Sequence, residues 1–180
     1  MQNGTLRKFD GRLLLMPCSA TKLDHADQPR RLYLGPMWQT LREHLGDMPW
    51  ENVFVLSGEY GFISSLNFIQ TYDGVLTSAK ADRMIARGVE GGNDHHGASS
   101  NGGPCPSNVL VSPGRKGQQP FDRVLCAGAN DYRRVLQHFI AEWINAGLIK
   151  PDARIFHVVG GIGEQRQQLG RWLRKEEGFF

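Results

Sequence analysis

The sequence predicts an α/β fold: a single domain built on one mostly parallel sheet of four to five strands, flanked by helices. Four short apolar runs, Leu13–Met16, Val53–Leu56, Val124–Cys126 and Ile155–Val159, alternate with stretches of helical periodicity. Strands that alternate with helices pair in parallel, because each crossover is long enough to return the chain to the same edge. The first run shows no polar alternation, which suits a strand covered on both faces, although periodicity alone also admits a buried helical turn. Each run ends in a distinctive loop: Pro-Cys-Ser-Ala-Thr-Lys, Ser-Gly-Glu-Tyr-Gly, Gly-Ala-Asn-Asp-Tyr and Gly-Gly-Ile-Gly-Glu. In a Rossmann-like sheet these loops gather at the carboxyl edge, where open α/β sheets bind ligands.

Composition agrees with one domain over residues 1–180. The chain is 40% hydrophobic and 22% charged, ordinary for a globular protein able to bury its own core. No apolar run approaches the roughly 20 residues of a membrane span, so no membrane partner is expected. The first residues lack the apolar core of a signal peptide, which makes the cytoplasm the expected compartment. Cys18, Cys105 and Cys126 are scattered without CxxC spacing, so neither a disulfide framework nor a zinc site is indicated. A net charge of +3 permits a phosphate-bearing partner without demanding one.

The first strand should end at Pro17, which has no N–H to pair and biases Met16 toward extended geometry. Cys18, Ser19, Thr21 and Lys22 then lie just past the strand. Leu23 to Tyr33 is polar and reads as a loop over the strand ends. Within it, Arg30 and Arg31 are either a solvated face or a guanidinium clamp for phosphate or carboxylate. A helix should start near Gly35-Pro36, with Met37, Trp38, Leu41 and Leu45 on one stripe and Gly46 at its end. Trp38 is expected in the core.

The second strand runs into Ser57-Gly-Glu-Tyr-Gly61. Two glycines there let a sharp turn present the Glu59 carboxylate and Tyr60 phenol together, although a plain structural turn fits equally. Phe62 to Tyr72 is mixed in character, and a helix is expected from about Ser78 through Arg87. Composition then changes: residues 88–119 are rich in Gly, Asn and Ser and too poor in apolar groups to offset the entropy of ordering them, so a flexible surface insertion is expected. Asp94, His95 and His96 fall in it, but adjacent histidines on a glycine-rich loop lack the further ligands and rigid shell of a metal site. No metal is assigned, and Cys105 is read as an exposed spectator.

After the third strand, Asn130 or Asp131 can cap a helix that buries Val135, Leu136, Phe139, Ile140 and Trp143 and stops at Gly147. The fourth strand leads into Gly160-Gly-Ile-Gly163 and a last helix carrying Leu169, Trp172 and Leu173. Gly160, Gly161 and Gly163 resemble a phosphate cradle at a helix N-terminus. A tight strand-to-helix turn is the alternative, since the motif lacks both the Lys-Ser/Thr of a P-loop and the third glycine of a dinucleotide fingerprint. His157 reads as a core histidine, and no motif names a cofactor.

Leu56-Ser-Gly-Glu-Tyr-Gly-Phe-Ile63, followed by Ile69-Gln-Thr-Tyr-Asp73, resembles the signature of the bacterial peroxide-stress YaaA superfamily and its small bacterial and phage relatives. Pro17-Cys18-Ser19 with Lys22 is closer to those relatives and also resembles a motif in the catalytic core of archaeosine synthase, which remodels a deazaguanine base in tRNA. Asn130 and Tyr132 are similar to the Asn-Glu-Tyr of YaaA, with Asp131 in place of the acid. The Lys-Pro-Tyr continuation of the archaeosine enzyme is here Lys22-Leu23-Asp24. The resemblance implies a nucleic-acid base or nucleotide modifying enzyme of a group-transfer type, or else a DNA-binding protein without turnover. Its partner would be nucleic acid, DNA or tRNA, or a nucleotide. Cys18, Lys22, Glu59 and Tyr132 are the expected catalytic set: a thiol nucleophile, an anchoring or attacking amine, a general acid or base and an orienting phenol. Ser19, Arg30, Arg31, Tyr60, Asp73, Asn130, Asp131, Gly160, Gly161 and Gly163 are the expected substrate contacts. The bland alternative is that Lys22 and Glu59 form a surface ion pair.

Overall fold

The computed structural model describes residues 10–87, 119–128 and 130–179. The strands and α-helices, in chain order, are β1 (Arg12–Pro17), α1 (Pro29–Leu32), α2 (Pro36–His44), β2 (Val53–Ser57), β3 (Gly61–Ser64), α3 (Ser78–Arg87), β4 (Phe121–Cys126), α4 (Asn130–Asn145), β5 (Ile149–His157) and α5 (Ile162–Leu173), with a 3-10 turn at Trp50–Asn52 before β2. One five-stranded sheet has the order β3-β2-β1-β4-β5. β1 pairs in parallel with β2 and with β4, and β4 with β5, while β3 is antiparallel to β2. All four expected strands therefore share one mostly parallel sheet.

Period-two alternation divides the core between the two faces of the sheet. Leu13, Leu15, Phe54, Leu56, Val124 and Cys126 face one way and pack against α3 and α4 with Phe139 and Trp143. Leu14, Met16, Val53, Val55 and Leu125 face the other way, against α1, α2 and α5 with Trp38 and Trp172. Because both sides of β1 and β2 are covered, Leu13 to Met16 and Val53 to Leu56 are all fully buried. This is why those runs carry no polar alternation.

The structure differs from the sequence expectations at three places. Leu23 to Tyr33 holds the short helix α1, started by Pro29, whose fixed φ and missing N–H suit a first turn. Phe62 and Ile63, read from sequence only as part of a mixed segment, lie in a strand, β3, which returns directly beside β2, so Ser57-Gly-Glu-Tyr-Gly61 is the sharp turn of a hairpin. β5 begins earlier than expected, at Ile149, and ends at His157 before Val159. Its first part is polar because it lies at the edge of the sheet, where one side has no neighbouring strand. The insertion at 88–118, with Asp94, His95, His96 and Cys105, lies outside the described residues.

An unusual group pins the amino edge of the sheet. Arg12 is fully buried, bonded to Asp10, to Asp47 at 2.7 Å and to the Leu173 carbonyl at 3.1 Å, with its guanidinium 5.8 Å from the Trp172 ring centre. A buried cation needs such a full set of partners to offset its lost hydration. Those partners tie β1 to the end of α5. Among the described residues, no helix is long and apolar enough to cross a membrane.

Candidate functional site

β1 is the switch point of the sheet: the chain leaves it toward β2 on one side and returns at β4 on the other. The crevice beyond the carboxyl ends of such a pair is where this class of sheet binds ligands. A cleft of about 490 Å³ lies there, lined by Pro17 to Thr21 after β1, Gly35 to Trp38 at the start of α2, and Gly128, Asn130, Asp131 and Tyr132 after β4. Leu76, Ile162 and Gln165 complete it. The volume and the mixture of apolar walls with a few polar groups match a small-molecule site.

Each wall is held by backbone pairing as well as side chains. The Cys18 N–H donates to the Leu56 carbonyl at 3.1 Å, extending the sheet by one bond past Pro17. The following loop is clamped against the segment after α1: Lys22 bridges Tyr33, the Leu23 N–H donates to Leu32 and the Leu34 N–H to Thr21. Ser19 Oγ accepts the Gly35 N–H at 3.1 Å, and the Trp38 indole donates to the Pro17 carbonyl at 3.0 Å. Trp38 is thus a core residue, 1% exposed, and also a wall of the cleft. After β4, Gly128 has a φ of +113°, and a Cβ there would come 2.8 Å from Tyr132 Cβ. Glycine is required for this turn to bring Tyr132 over the strand end. Asn130 also has a positive φ, 39°, which asparagine tolerates better than most residues.

The result is a thiol facing a phenol. Cys18 Sγ and Tyr132 Oη are 3.0 Å apart, either being able to donate. Burial, with the neighbouring Cys18, holds the Tyr132 hydroxyl well above the ordinary phenol range, so it stays protonated at neutral pH. A neutral phenol can hydrogen-bond a thiolate or give a proton to a developing anion.

Behind this pair lies a second polar group. Tyr72 Oη accepts from Ser57 Oγ at 2.7 Å and meets Tyr33 Oη at 2.6 Å. Ser57 Oγ in turn accepts the N–H groups of Glu59 and Tyr60, each at 3.1 Å, which fixes the hairpin turn. Burial pushes both Tyr33 and Tyr72 up, so this relay is also neutral. The Lys22 ammonium sits 4.5 Å from the Tyr72 ring centre, and Tyr60 packs edge-on against the same ring. Glu59 and Tyr72 both border Gly74: a Cβ there would come 2.6 Å from Glu59 Oε2 and 3.4 Å from Tyr72 Cδ2.

Of the expected catalytic set, Cys18 and Tyr132 meet and line the cleft, whereas Lys22 and Glu59 gather around Tyr72 and are not among the lining residues. Glu59 stands 3.8 Å from Lys80, whose ammonium donates to the Gly58 carbonyl at 2.9 Å. Its cation is therefore Lys80 and not Lys22. Among the expected substrate contacts, Ser19, Asn130 and Asp131 line the cleft. The Asp131 carboxylate is occupied by Arg134 at 2.9 Å and Ser78 at 2.8 Å. Arg31 is paired with Asp27 at 2.6 Å, and Arg30 donates to Gln28 at 2.8 Å. Tyr60 bonds the Gln70 carbonyl at 3.3 Å, and Asp73 is exposed. The Gly161 N–H donates to Glu164 Oε2 at 2.7 Å, so the glycine-rich turn is capped by its own helix.

Ser57, Tyr33, Tyr72 and Gln165 belong to the site or its support without being expected there, and Trp38, expected in the core, also walls the cleft. Ser57 and Tyr72 had a signal, their places in Leu56-Ser-Gly-Glu-Tyr-Gly-Phe-Ile63 and Ile69-Gln-Thr-Tyr-Asp73. Tyr33 and Gln165 sit in segments whose residue types suggest nothing beyond a loop and a helix face. Among the described residues, no group of three or more His, Cys, Asp or Glu side chains is placed to hold a metal ion.

A model of a family of unknown function, DUF6884, matches residues 13–89. That span holds Cys18, Lys22, Glu59 and Tyr72 but stops short of β4 and Tyr132. No curated protein and no solved structure matches the chain.

Proposed function

We propose that the protein is a group-transfer enzyme that modifies a nucleobase, presented free, as a nucleoside or nucleotide, or within DNA or tRNA. The observation that carries this reading is the 3.0 Å approach of Cys18 Sγ and Tyr132 Oη at the mouth of a switch-point cleft. A thiol and a neutral phenol side by side suit covalent catalysis on an electrophilic ring carbon. Cys18 Sγ forms a bond to the ring carbon as that carbon's π bond to a neighbouring ring atom breaks, with the thiol proton passing by way of Tyr132 to the atom that takes up the electron pair; collapse of the adduct re-forms the π bond and expels either the thiolate or the group being replaced. Trp38, Met37, Leu76 and Ile162 offer apolar surface to a flat heterocycle. Asn130 carries an amide, donor and acceptor, and Gln165, whose Nε2 donates to the Gly160 carbonyl at 2.8 Å, offers its Oε1 as an acceptor; both can pair with the edge of a base. Lys22, held over Tyr72, serves as the anchoring amine beside the cleft, and Glu59 with Lys80 shapes the hairpin turn.

The test is a panel of nucleosides, nucleotides, DNA and tRNA, with products followed by mass spectrometry and binding by calorimetry. Cys18→Ser should abolish product while leaving binding within about threefold, a change below 1 kcal/mol.

A second reading, nucleic-acid binding without turnover, is favoured by Lys22, Arg30 and Arg42. Among the described residues, none of the three has a carboxylate within ion-pair distance, and Arg42 donates to the Arg30 and Tyr33 carbonyls, which draws them around α1. Binding with a steep salt dependence that ignores Cys18 and Glu59 substitutions would select it.

A further inference from the structure

We infer that the groove between α2 and α5 carries the phosphodiester backbone of a single-stranded nucleic acid, with Arg166 and Arg174 as phosphate contacts, while one base of that strand occupies the cleft. The inference rests on the nucleobase reading and narrows it: the base arrives within a polymer, and not free or as a mononucleotide.

The course of the two helices carries the first part. Both begin at the carboxyl edge, beside the loops that follow β1 and β5, and so run the same way over one face of the sheet. Their first turns border the cleft, through Met37 and Trp38 on α2 and Ile162 and Gln165 on α5. The turns that follow enclose a second hollow of about 330 Å³, between Thr40 and His44 on one side and Gly163, Arg166, Gly170 and Arg174 on the other. Cleft and groove are successive stretches of one helix seam. From Ile162 to its capping residue Arg174, α5 rises about 18 Å at about 1.5 Å per residue. That is farther than the phosphate of one nucleotide lies from its own base, and it suits a run of nucleotides.

The side chains give the groove its sign. Arg166 Nε donates to Thr40 Oγ1 at 2.8 Å, a neutral partner, and among the described residues no carboxylate lies within ion-pair distance of the guanidinium. Held by Nε, it leaves both Nη groups to meet a phosphate. The floor is glycine: a Cβ on Gly170 would come 3.1 Å from Arg174 Nη1 and 3.2 Å from His44 Cδ2, so those two side chains converge over it. Arg174 donates to Glu176 at 2.8 Å, but the same carboxylate accepts from Arg171 at 3.0 Å, so one anion serves two cations. Glu43, exposed at the rim, is the acid of the lining. Glu164 is turned back onto the Gly161 N–H at 2.7 Å, and Asp47 is held by Arg12 and Lys175. Three arginines, Arg166, Arg171 and Arg174, therefore face two glutamates, Glu43 and Glu176, and a positive excess remains. A groove of this sign draws a phosphate backbone, and its glycine floor lets the backbone lie close.

Fluorescence anisotropy with labelled single strands of about 12 nucleotides, one of DNA and one of RNA, tests this, with a 5′-mononucleotide followed by calorimetry for comparison. Arg166→Gln keeps a donor for Thr40 and removes the charge. It should weaken the tighter-binding strand about fivefold or more and lower the slope of log K against log salt by about 0.7, the loss of one phosphate contact, while mononucleotide binding stays within about twofold. Arg174→Gln should act likewise, and Glu43→Gln should tighten the same strand about twofold or more, since it removes an opposing charge. No binding of either strand by the wild type, an unchanged slope in both arginine variants, or an equal loss for the mononucleotide overturns the inference. If thermal melts show that the arginine variants do not fold, Glu43→Gln decides alone, and an unchanged affinity there overturns it. The nucleobase reading fails separately. If no substrate yields product or adduct while strand binding still falls in the arginine variants, that reading is lost and the groove stands; if a free nucleoside is turned over and neither strand binds, the groove is lost and the reading stands.

Discussion

The Cys18 thiol and the Tyr132 hydroxyl stand 3.0 Å apart although 114 residues separate them in the chain. β1 and β4 are neighbours in the sheet, and the two loops leave the same edge, one shaped by Pro17 and the other by Gly128. Tyr132→Phe removes the hydroxyl and keeps the ring. The expected outcome is a fall in kcat of about 10²-fold or more with little change in KM, since the lost bond acts on the reacting sulfur. A double variant that falls no further than Cys18→Ser alone would show that the pair acts as a unit.

The Tyr72 relay is expected to matter to stability first. Tyr72→Phe leaves the Ser57 and Tyr33 hydroxyls without their shared partner. Urea unfolding should show a loss of about 1–3 kcal/mol, the usual cost of a buried polar group left unpaired. Tyr72→Leu should lose a further 0.5–1 kcal/mol or so, because Lys22 then also loses the ring beneath its ammonium.

Arg12 gives a prediction far from the cleft. Arg12→Leu removes the buried cation and strands Asp10, which is 16% exposed, while Asp47 keeps Lys175 at 2.6 Å. A loss of about 3 kcal/mol is expected by chemical denaturation, at the low end for breaking a buried pair because Asp47 remains paired near solvent. Asp47→Asn should cost less than Asp10→Asn.

His157 makes stability depend on pH. Burial and the nearby Arg133 lower its folded-state value below the ordinary 6.5, and its Nδ1 has no hydrogen-bond partner among the described residues. As pH falls through 6.5, the unfolded chain takes up a proton before the folded one does. Stability should therefore decline below that point and level off once the folded state is protonated too. Thermal melts from pH 8 to pH 5 should show a shallower decline in His157→Phe than in the wild type.

Much of the fold was legible because Leu13–Met16 in β1, Val53–Leu56 in β2 and Val124–Cys126 in β4 are buried on both faces and stand out as apolar runs. β3 was not, since Gly61–Ser64 is too short to display a period and its pairing depends on the turn at Ser57. α1 was hidden for the same reason, a single turn inside a polar stretch. At the site, the loops after β1 and β4 were legible from their residue types, and the structure brings Cys18 to Tyr132. What could not be read was how cations and anions pair. Glu59 met Lys80 and not Lys22, and Glu164 closed the glycine-rich turn, because such choices depend on side-chain reach across elements distant in sequence.

The most direct test of the central claim is the mass of the protein itself after incubation with the nucleobase panel and an acid quench. An adduct on Cys18 with its substrate is expected in the wild type, forming more slowly in Tyr132→Phe and absent in Cys18→Ser although binding persists. Product formation by Cys18→Ser at the wild-type rate would contradict it.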